Sequence, residues 1–283
     1  MTARDADLQR LVEQVRRSSK YAAVSPALIA EIGADELAIR RSFKEAVKST
    51  KRKLHQVAGA YLPAADYAAW LEHLESAAIQ VPGTGADDGA EGARHLSDLR
   101  RVCREIMAHH ASTQERLDIL DTFYTVVLGD LHPIRSVADV ACGLGPLAIP
   151  WMPLAPGVRY YAYDIYEDLT TFLNQALPLL GVEAYAETRD VIHHPPEVEV
   201  DVALLLKAVP CLDQVQRDAG QRLIETLRAR HVVVSFPTET LCGRRKGMAV
   251  NYEARFWELV DGRGWRTDKH LFDTELVFVV HKE

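Results

Sequence analysis

The sequence predicts an α/β protein: a mostly parallel sheet covered by helices, preceded by an all-helical N-terminal region. Three observations predict it. From residue 135 onward, short apolar runs alternate with helical segments, which is the pattern of a parallel sheet with helices on both faces. The last two apolar runs, 265–272 and 274–282, are separated by almost nothing, so one strand runs against the others in a C-terminal antiparallel hairpin. Residues 5–79 carry apolar side chains at helical spacing.

Each element has its own justification. Leu8, Leu11, Val12 and Val15 recur at helical spacing, as do Leu28, Ile29 and Ile32, with Ser25 as cap and Pro26 in the first turn. "YLPAADYAAWLEHLESAA" gives another helix after a proline stop. Residues 81–92, "VPGTGADDGAEG", read as a linker or loop. They divide an N-terminal helical domain, 1–80, from a body, 93–283, that opens with a helix from Ala93 to His109. Ser112 and Glu115 predict a capping box at the start of the next helix. The strands are "SVADVA", "VRYYAYD", "VEAYAE", "DVALLLK" and "HVVVSF", then "WRTDKHLF" and "TELVFVVHK" of the hairpin. Helices are expected at 147–153, 166–180, 212–229 and 248–262.

Composition bounds the function. Of 283 residues, 48% are hydrophobic and 26% charged, an ordinary globular balance. No segment approaches the ~18 uncharged apolar residues of a membrane span. The charged N-terminus lacks the apolar stretch of a signal peptide, so a cytoplasmic protein without membrane contact is expected. Cys103, Cys142, Cys211 and Cys242 form no CxxC pair, and the histidine pairs 109–110 and 193–194 lack partners at ligand spacing; no metal is expected. The net charge of −7 argues against nucleic acid, but its distribution matters more. Residues 1–60 hold 12 Lys/Arg against 7 Asp/Glu, a surplus of +5 that leaves −12 on the rest. Lys44–Lys53 alone has five cations and one carboxylate, a basic docking arm on an acidic body or a solvated helix face.

The chemistry gathers at "SVADVACGLGPLAIPWM", residues 136–152. A strand falls there into Gly143 and Gly145, which can adopt positive φ and, lacking Cβ, let a ligand touch the backbone. The next strand ends in Asp164, placed to accept ribose hydroxyls, and the third is followed by Asp190. With Asp139, these carboxylates suggest a nucleoside-bearing cofactor. A dinucleotide G-x-G-x-x-G, with Ala148 in the third place, stays open as a nicotinamide or flavin reading. "DxxCGxGP" more closely resembles the first motif of class I S-adenosylmethionine-dependent methyltransferases, a Rossmann-like fold that the terminal hairpin also fits.

Six motifs in one order extend that resemblance from about residue 10 to the C-terminus: "KRKLHQVAGAYL", "HASTQERL", "DVACGLGPLAIPWM", "LLLKAVPCL", "SFPTETLCGRRKGMAVNY" and "TELVFVV". Together they resemble the aminoglycoside-resistance 16S rRNA methyltransferases acting on N7 of guanine-1405. The resemblance implies S-adenosyl-L-methionine as cofactor, S-adenosyl-L-homocysteine as product, and 16S rRNA in the assembled 30S subunit as partner; a monomer is expected. It implies that Arg116 reaches the methionine carboxylate, Ala141 and Gly143 the methionine end, Asp164 the ribose and Asp190 the adenine amine. Ile165, Val191 and Leu206 complete the cofactor site. Lys207 and Glu275 become candidate catalytic residues, and Lys48, Lys51, Arg52, Lys53, Arg244, Arg245 and Lys246 candidate rRNA contacts. Two positions depart from the pattern. Gly145 stands where such enzymes usually carry Asn, and Glu239 where they carry Lys or Arg, which weakens docking if that loop faces RNA. Guanine N7 has a lone pair and no proton to lose, so alignment rather than a general base is expected. The rival readings are adenine-1408 N1 methylation, a non-catalytic cofactor-binding 30S assembly factor and a small-molecule methyltransferase.

Overall fold

The computed structural model describes residues 3–58, 65–78, 90–238 and 248–282. The N-terminal helices are α1 (Ala3–Arg16), α2 (Pro26–Ile39), α3 (Phe43–Ala58) and α4 (Tyr67–Ala78). Then come α5 (Ala90–Met107), α6 (Ala111–Gln114) and α7 (Leu120–Leu128). The alternating part follows as β1 (Ser136–Val140), β2 (Arg159–Asp164), α8 (Glu167–Ala176), β3 (Glu183–Thr188), β4 (Val200–Leu206), α9 (Val209–Val215), α10 (Ala219–Thr226), β5 (Ala229–Pro237), α11 (Met248–Val260), β6 (Arg266–Leu271) and β7 (Glu275–His281).

The seven strands order as β3-β2-β1-β4-β5-β7-β6. The first five are parallel, and β7 inserts antiparallel between β5 and β6. The predicted hairpin and its single reversed strand are therefore present. Central strands β1 and β7 are buried along their whole length, whereas β3, an edge strand, alternates between exposed and half-buried residues. That is why the central runs read as continuously apolar. Since β1 lies between β2 and β4, the chain changes direction of travel across the sheet there, and such a switch point opens a crevice beyond the strands' carboxyl ends.

One core layer packs α4, α5, α7 and α8 on one face of the sheet, with Trp70, Phe123 and Phe172 among its members. The opposite face is covered by α9, α10 and α11 through Leu212, Ile224 and Phe256. A third cluster, with Leu11, Val15, Leu28, Ile29, Ile32 and Leu54, belongs to α1, α2 and α3. By packing, α4 goes with the sheet, through Trp70 and Leu74, rather than with the N-terminal three. Ser25 caps α2 as expected, accepting from Leu28 N–H at 3.4 Å.

Some local expectations change. The residues at 111–114 form only one short turn, α6, with His110 at the cap position and no side-chain cap bond. Glu115 does not fold back as a capping box requires, because its carboxylate is drawn to the Lys207 ammonium at 2.6 Å. The segment after β1 is a tight 3-10 helix, Gly145–Trp151, containing Pro150, which has no N–H to donate to an α-helical ladder. The expected helix at 212–229 breaks into α9 and α10, where Asp218 turns left-handed at φ 59° and Asp213 accepts from Gly220 N–H. Residues 81–89 of the expected linker lie outside the described residues.

Candidate cofactor site

Backbone shapes the crevice first. Ala141, just past β1, has φ 54°, and Lys207, just past the neighbouring β4, has φ 58°. Both are non-glycine residues in the left-handed region, which costs about 1 kcal/mol or more each. Gly143 follows at φ 52°. A Cβ there would lie 2.8 Å from His110 Nε2, so His110, not only a ligand, demands glycine at 143. Gly145 is not among the positive-φ residues, correcting that half of the expectation; a Cβ on it would approach Asp139 Oδ2 at 3.3 Å.

The carboxylates come next. Asp164 Oδ2 accepts from Gly143 N–H at 2.8 Å and its Oδ1 from Ile165 N–H at 2.7 Å. Burial pushes its pKa up; the backbone N–H groups of Gly143, Ile165 and Tyr166 oppose that. Asp139 accepts from Tyr160 O–H at 2.9 Å, and burial drives its pKa up to about 7. Asp190 Oδ1 accepts from Ile192 N–H at 3.0 Å, and its Oδ2 lies 2.5 Å from His193 Nδ1.

Behind the glycine turn lies a buried ionic cluster. Arg116, 1% exposed, is fixed by Glu275, 0% exposed, through Nε to Oε2 at 3.0 Å and NH2 to Oε1 at 2.7 Å. Ser235 donates its hydroxyl to the same carboxylate. Lys207 Nζ sits 2.6 Å from Glu115 Oε2 and 3.6 Å from Glu275 Oε2. Burial alone would raise the Glu275 pKa, but the Arg116 and Lys207 charges bring it below the ordinary value. Burial, then Arg116 and Lys207, depress the His110 pKa to about 4, so that ring is neutral near pH 7.

All eight expected cofactor residues line this one crevice: Arg116, Ala141, Gly143, Asp164, Ile165, Asp190, Val191 and Leu206. Lys207 lines it too. Glu275, the other candidate catalytic residue, does not line it; it is fully buried and holds the Arg116 guanidinium at two points. In α3, Lys48 and Arg52 are exposed and Lys51 is half-buried. Lys53 is tied to Glu36 at 2.9 Å, so it holds α3 to α2 rather than reaching outward unpartnered. Arg244, Arg245, Lys246 and Glu239 lie outside the described residues. Sequence reasoning missed His110 and Leu28 as crevice residues. His110 begins the "HASTQERL" motif, a signal that was available; Leu28 looks like any apolar helix position.

These groups fit S-adenosylmethionine. Buried carboxylates stand at the ends of β2 and β3, a fixed guanidinium suits a ligand carboxylate, and Val191, Ile192 and Leu212 give apolar walls for a base. Fold and site together define a class I S-adenosylmethionine-dependent methyltransferase. Residues 17–279 match the ribosomal RNA methyltransferase (FmrO) family, and the chain belongs to that family.

It is 36% identical over 281 residues to the 16S rRNA (guanine(1405)-N(7))-methyltransferase of Micromonospora rosea, covering 98% of both chains. To the enzyme of that name from Frankia casuarinae it is 39% identical over 279 residues, covering 97% of this chain and 94% of the other. Among solved structures, the 16S rRNA methyltransferase RmtF in complex with S-adenosyl-L-homocysteine aligns at TM-score 0.76 and 25% identity over all of both chains. The 16S rRNA methylase RmtB aligns at TM-score 0.74 and 26% identity over 98% of each.

Proposed function

We propose that the chain transfers the methyl group of S-adenosyl-L-methionine to N7 of guanine-1405 of 16S rRNA in the assembled 30S subunit, conferring aminoglycoside resistance. The observation that carries this reading is the 36% and 39% identity, over nearly the whole chain, to enzymes so named, on a chain whose crevice is lined by Asp164. We further propose that it acts as a monomer in the cytoplasm. No helix among the described residues is long and apolar enough to cross a membrane.

When bound, the cofactor supplies a methyl group on a positively charged sulfur. The chain's residues then bind and align. On this reading Arg116, held by Glu275, takes a carboxylate, and Asp164 and Asp190 take hydroxyl and amine donors; all three line the crevice. The crevice carboxylates already have partners: Asp139 has Tyr160, Asp164 the backbone and Asp190 His193. Lys207 is paired with Glu115. A site whose carboxylates and lysine are already engaged suits a nucleophile that has no proton to give up, as guanine N7 is. Cys211 has no part to play, since N7 attack needs no covalent intermediate. The base is reached by flipping from the stack, and the exposed Lys48 and Arg52 of α3, with Lys51, contact phosphate.

The test is incubation of 30S subunits with the chain and S-adenosylmethionine, then cleavage at N7-methylguanine and primer extension. Modification at guanine-1405 is expected. Modification at adenine-1408, or none, defeats the reading. Asp164→Ala should abolish transfer together with calorimetric S-adenosylhomocysteine binding.

A further inference from the structure

One side of the crevice is not built by the methyltransferase sheet. Leu28, in the first turn of α2, lines it, and its core cluster extends onto Ile165, Tyr166 and Val215, which line it as well. The contact is fixed by backbone. Ser25 N–H donates to Ile165 C=O at 2.7 Å, Glu167 N–H donates to Ala23 C=O at 2.8 Å, and Val24 bridges Tyr166 in antiparallel fashion. Arg16 adds an ion pair to Glu167 at 2.6 Å. Ile165 therefore gives its N–H to Asp164 Oδ1 and its carbonyl to the N-terminal segment. The basic helix α3 packs against both α2 and α9, and α9 contributes Cys211, Leu212 and Val215 to the same crevice. Its Lys53 grips the fully buried Glu36 of α2.

We propose that the N-terminal helical unit is a wall of the cofactor crevice, with Leu28 a cofactor-positioning residue, and that rRNA docking through α3 and cofactor occupancy are thereby coupled. The coupling rests on the rRNA-methyltransferase reading; the wall does not. A rigid helix that touches phosphate on one side and two crevice-lining helices on the other biases both equilibria. Linkage makes that bias reciprocal: whatever factor the subunit applies to cofactor affinity, cofactor applies to subunit affinity.

The first arm is calorimetry of S-adenosylhomocysteine on the full chain without RNA. Leu28→Ala removes apolar surface from the wall and should weaken binding about three- to tenfold. Leu28→Met, which keeps the volume, should stay within about twofold. Should Leu28→Ala fail to fold, Leu28→Val serves, with at least a twofold loss expected. Unchanged affinity in the folded truncation overturns the wall. The second arm compares S-adenosylhomocysteine affinity with and without saturating 30S subunits. A change of about fivefold or more is expected, and Glu36→Gln, which loosens α3 from α2, should bring the ratio toward one. Equal affinities, or no subunit binding, overturn the coupling. A chain that methylates guanine-1405 without coupling defeats only this inference. One that modifies another base while Leu28→Ala still weakens cofactor binding defeats only the guanine-1405 reading.

Discussion

Arg116 and Glu275 meet as a two-point ion pair, Nε to Oε2 at 3.0 Å and NH2 to Oε1 at 2.7 Å, although 159 positions separate them. Neither reaches solvent to any useful extent. A guanidinium so fixed lines the crevice in one orientation, and we propose that the pair positions it for a ligand carboxylate.

Glu275→Gln should therefore lower both stability and cofactor affinity. Breaking a buried pair costs about 3–5 kcal/mol, less whatever hydrogen bonding the amide retains. The folded Glu275 pKa is depressed below its ordinary 4.5. Its contribution is then present above that ordinary value and lost as pH falls through the depressed one. Thermal midpoints of wild type and Glu275→Gln should differ at pH 7 and converge in strong acid. Parallel curves would contradict the assignment.

Asp139 behaves oppositely. Burial raises its pKa to about 7 from 3.8, so the folded chain holds this proton where the unfolded chain has released it. Stability therefore declines as pH rises between those values. Asp139→Asn mimics the protonated form. It should match wild type only at or below about pH 3.8 and exceed its thermal midpoint increasingly up to pH 8; a variant less stable at pH 8 would sink the account.

Gly143→Ala meets two penalties: a left-handed φ of 52° and a Cβ 2.8 Å from the His110 ring. A loss of about 1–3 kcal/mol is expected. His110→Ala should relieve the collision but not the backbone strain. In a double-mutant cycle the coupling should be at least about 0.5 kcal/mol, and additive losses would show that the ring yields freely.

Lysines on α3 should divide by partner. Lys53→Ala strips Glu36 of an ammonium at 2.9 Å and should cost about 1–3 kcal/mol of stability. Lys48→Glu with Arg52→Glu, both exposed, should leave the thermal midpoint nearly unchanged. That pair should weaken 30S binding and flatten its salt dependence. Unaltered subunit binding would remove α3 from the docking surface.

Strand positions were legible because their signal is local. "SVADVA", "VRYYAYD" and "VEAYAE" differ from β1, β2 and β3 by a residue or so at either end. Asp164 and Asp190 were legible for the same reason, since a carboxylate at a parallel strand's end has one place to go. What stayed hidden depends on partners far along the chain. Nothing near Glu275 reveals that Arg116 waits for it, and nothing in "KRK" separates a lysine bound to Glu36 from its neighbours Lys51 and Arg52. The failed capping box is the same lesson in reverse: Ser112 and Glu115 satisfy the local rule, and Lys207 overrides it.

The last strand has a consequence for synthesis. β7 is inserted between β5 and β6, and it carries Glu275. A nascent chain that has emerged only through β5 has already made the glycine turn and Asp164, but its Arg116 still lacks a counter-charge. Affinity for S-adenosylhomocysteine should accordingly appear in stalled translation products only once β7 has cleared the exit tunnel. Product inhibitor and methyl donor alike should then bind the polypeptide only after its sheet closes.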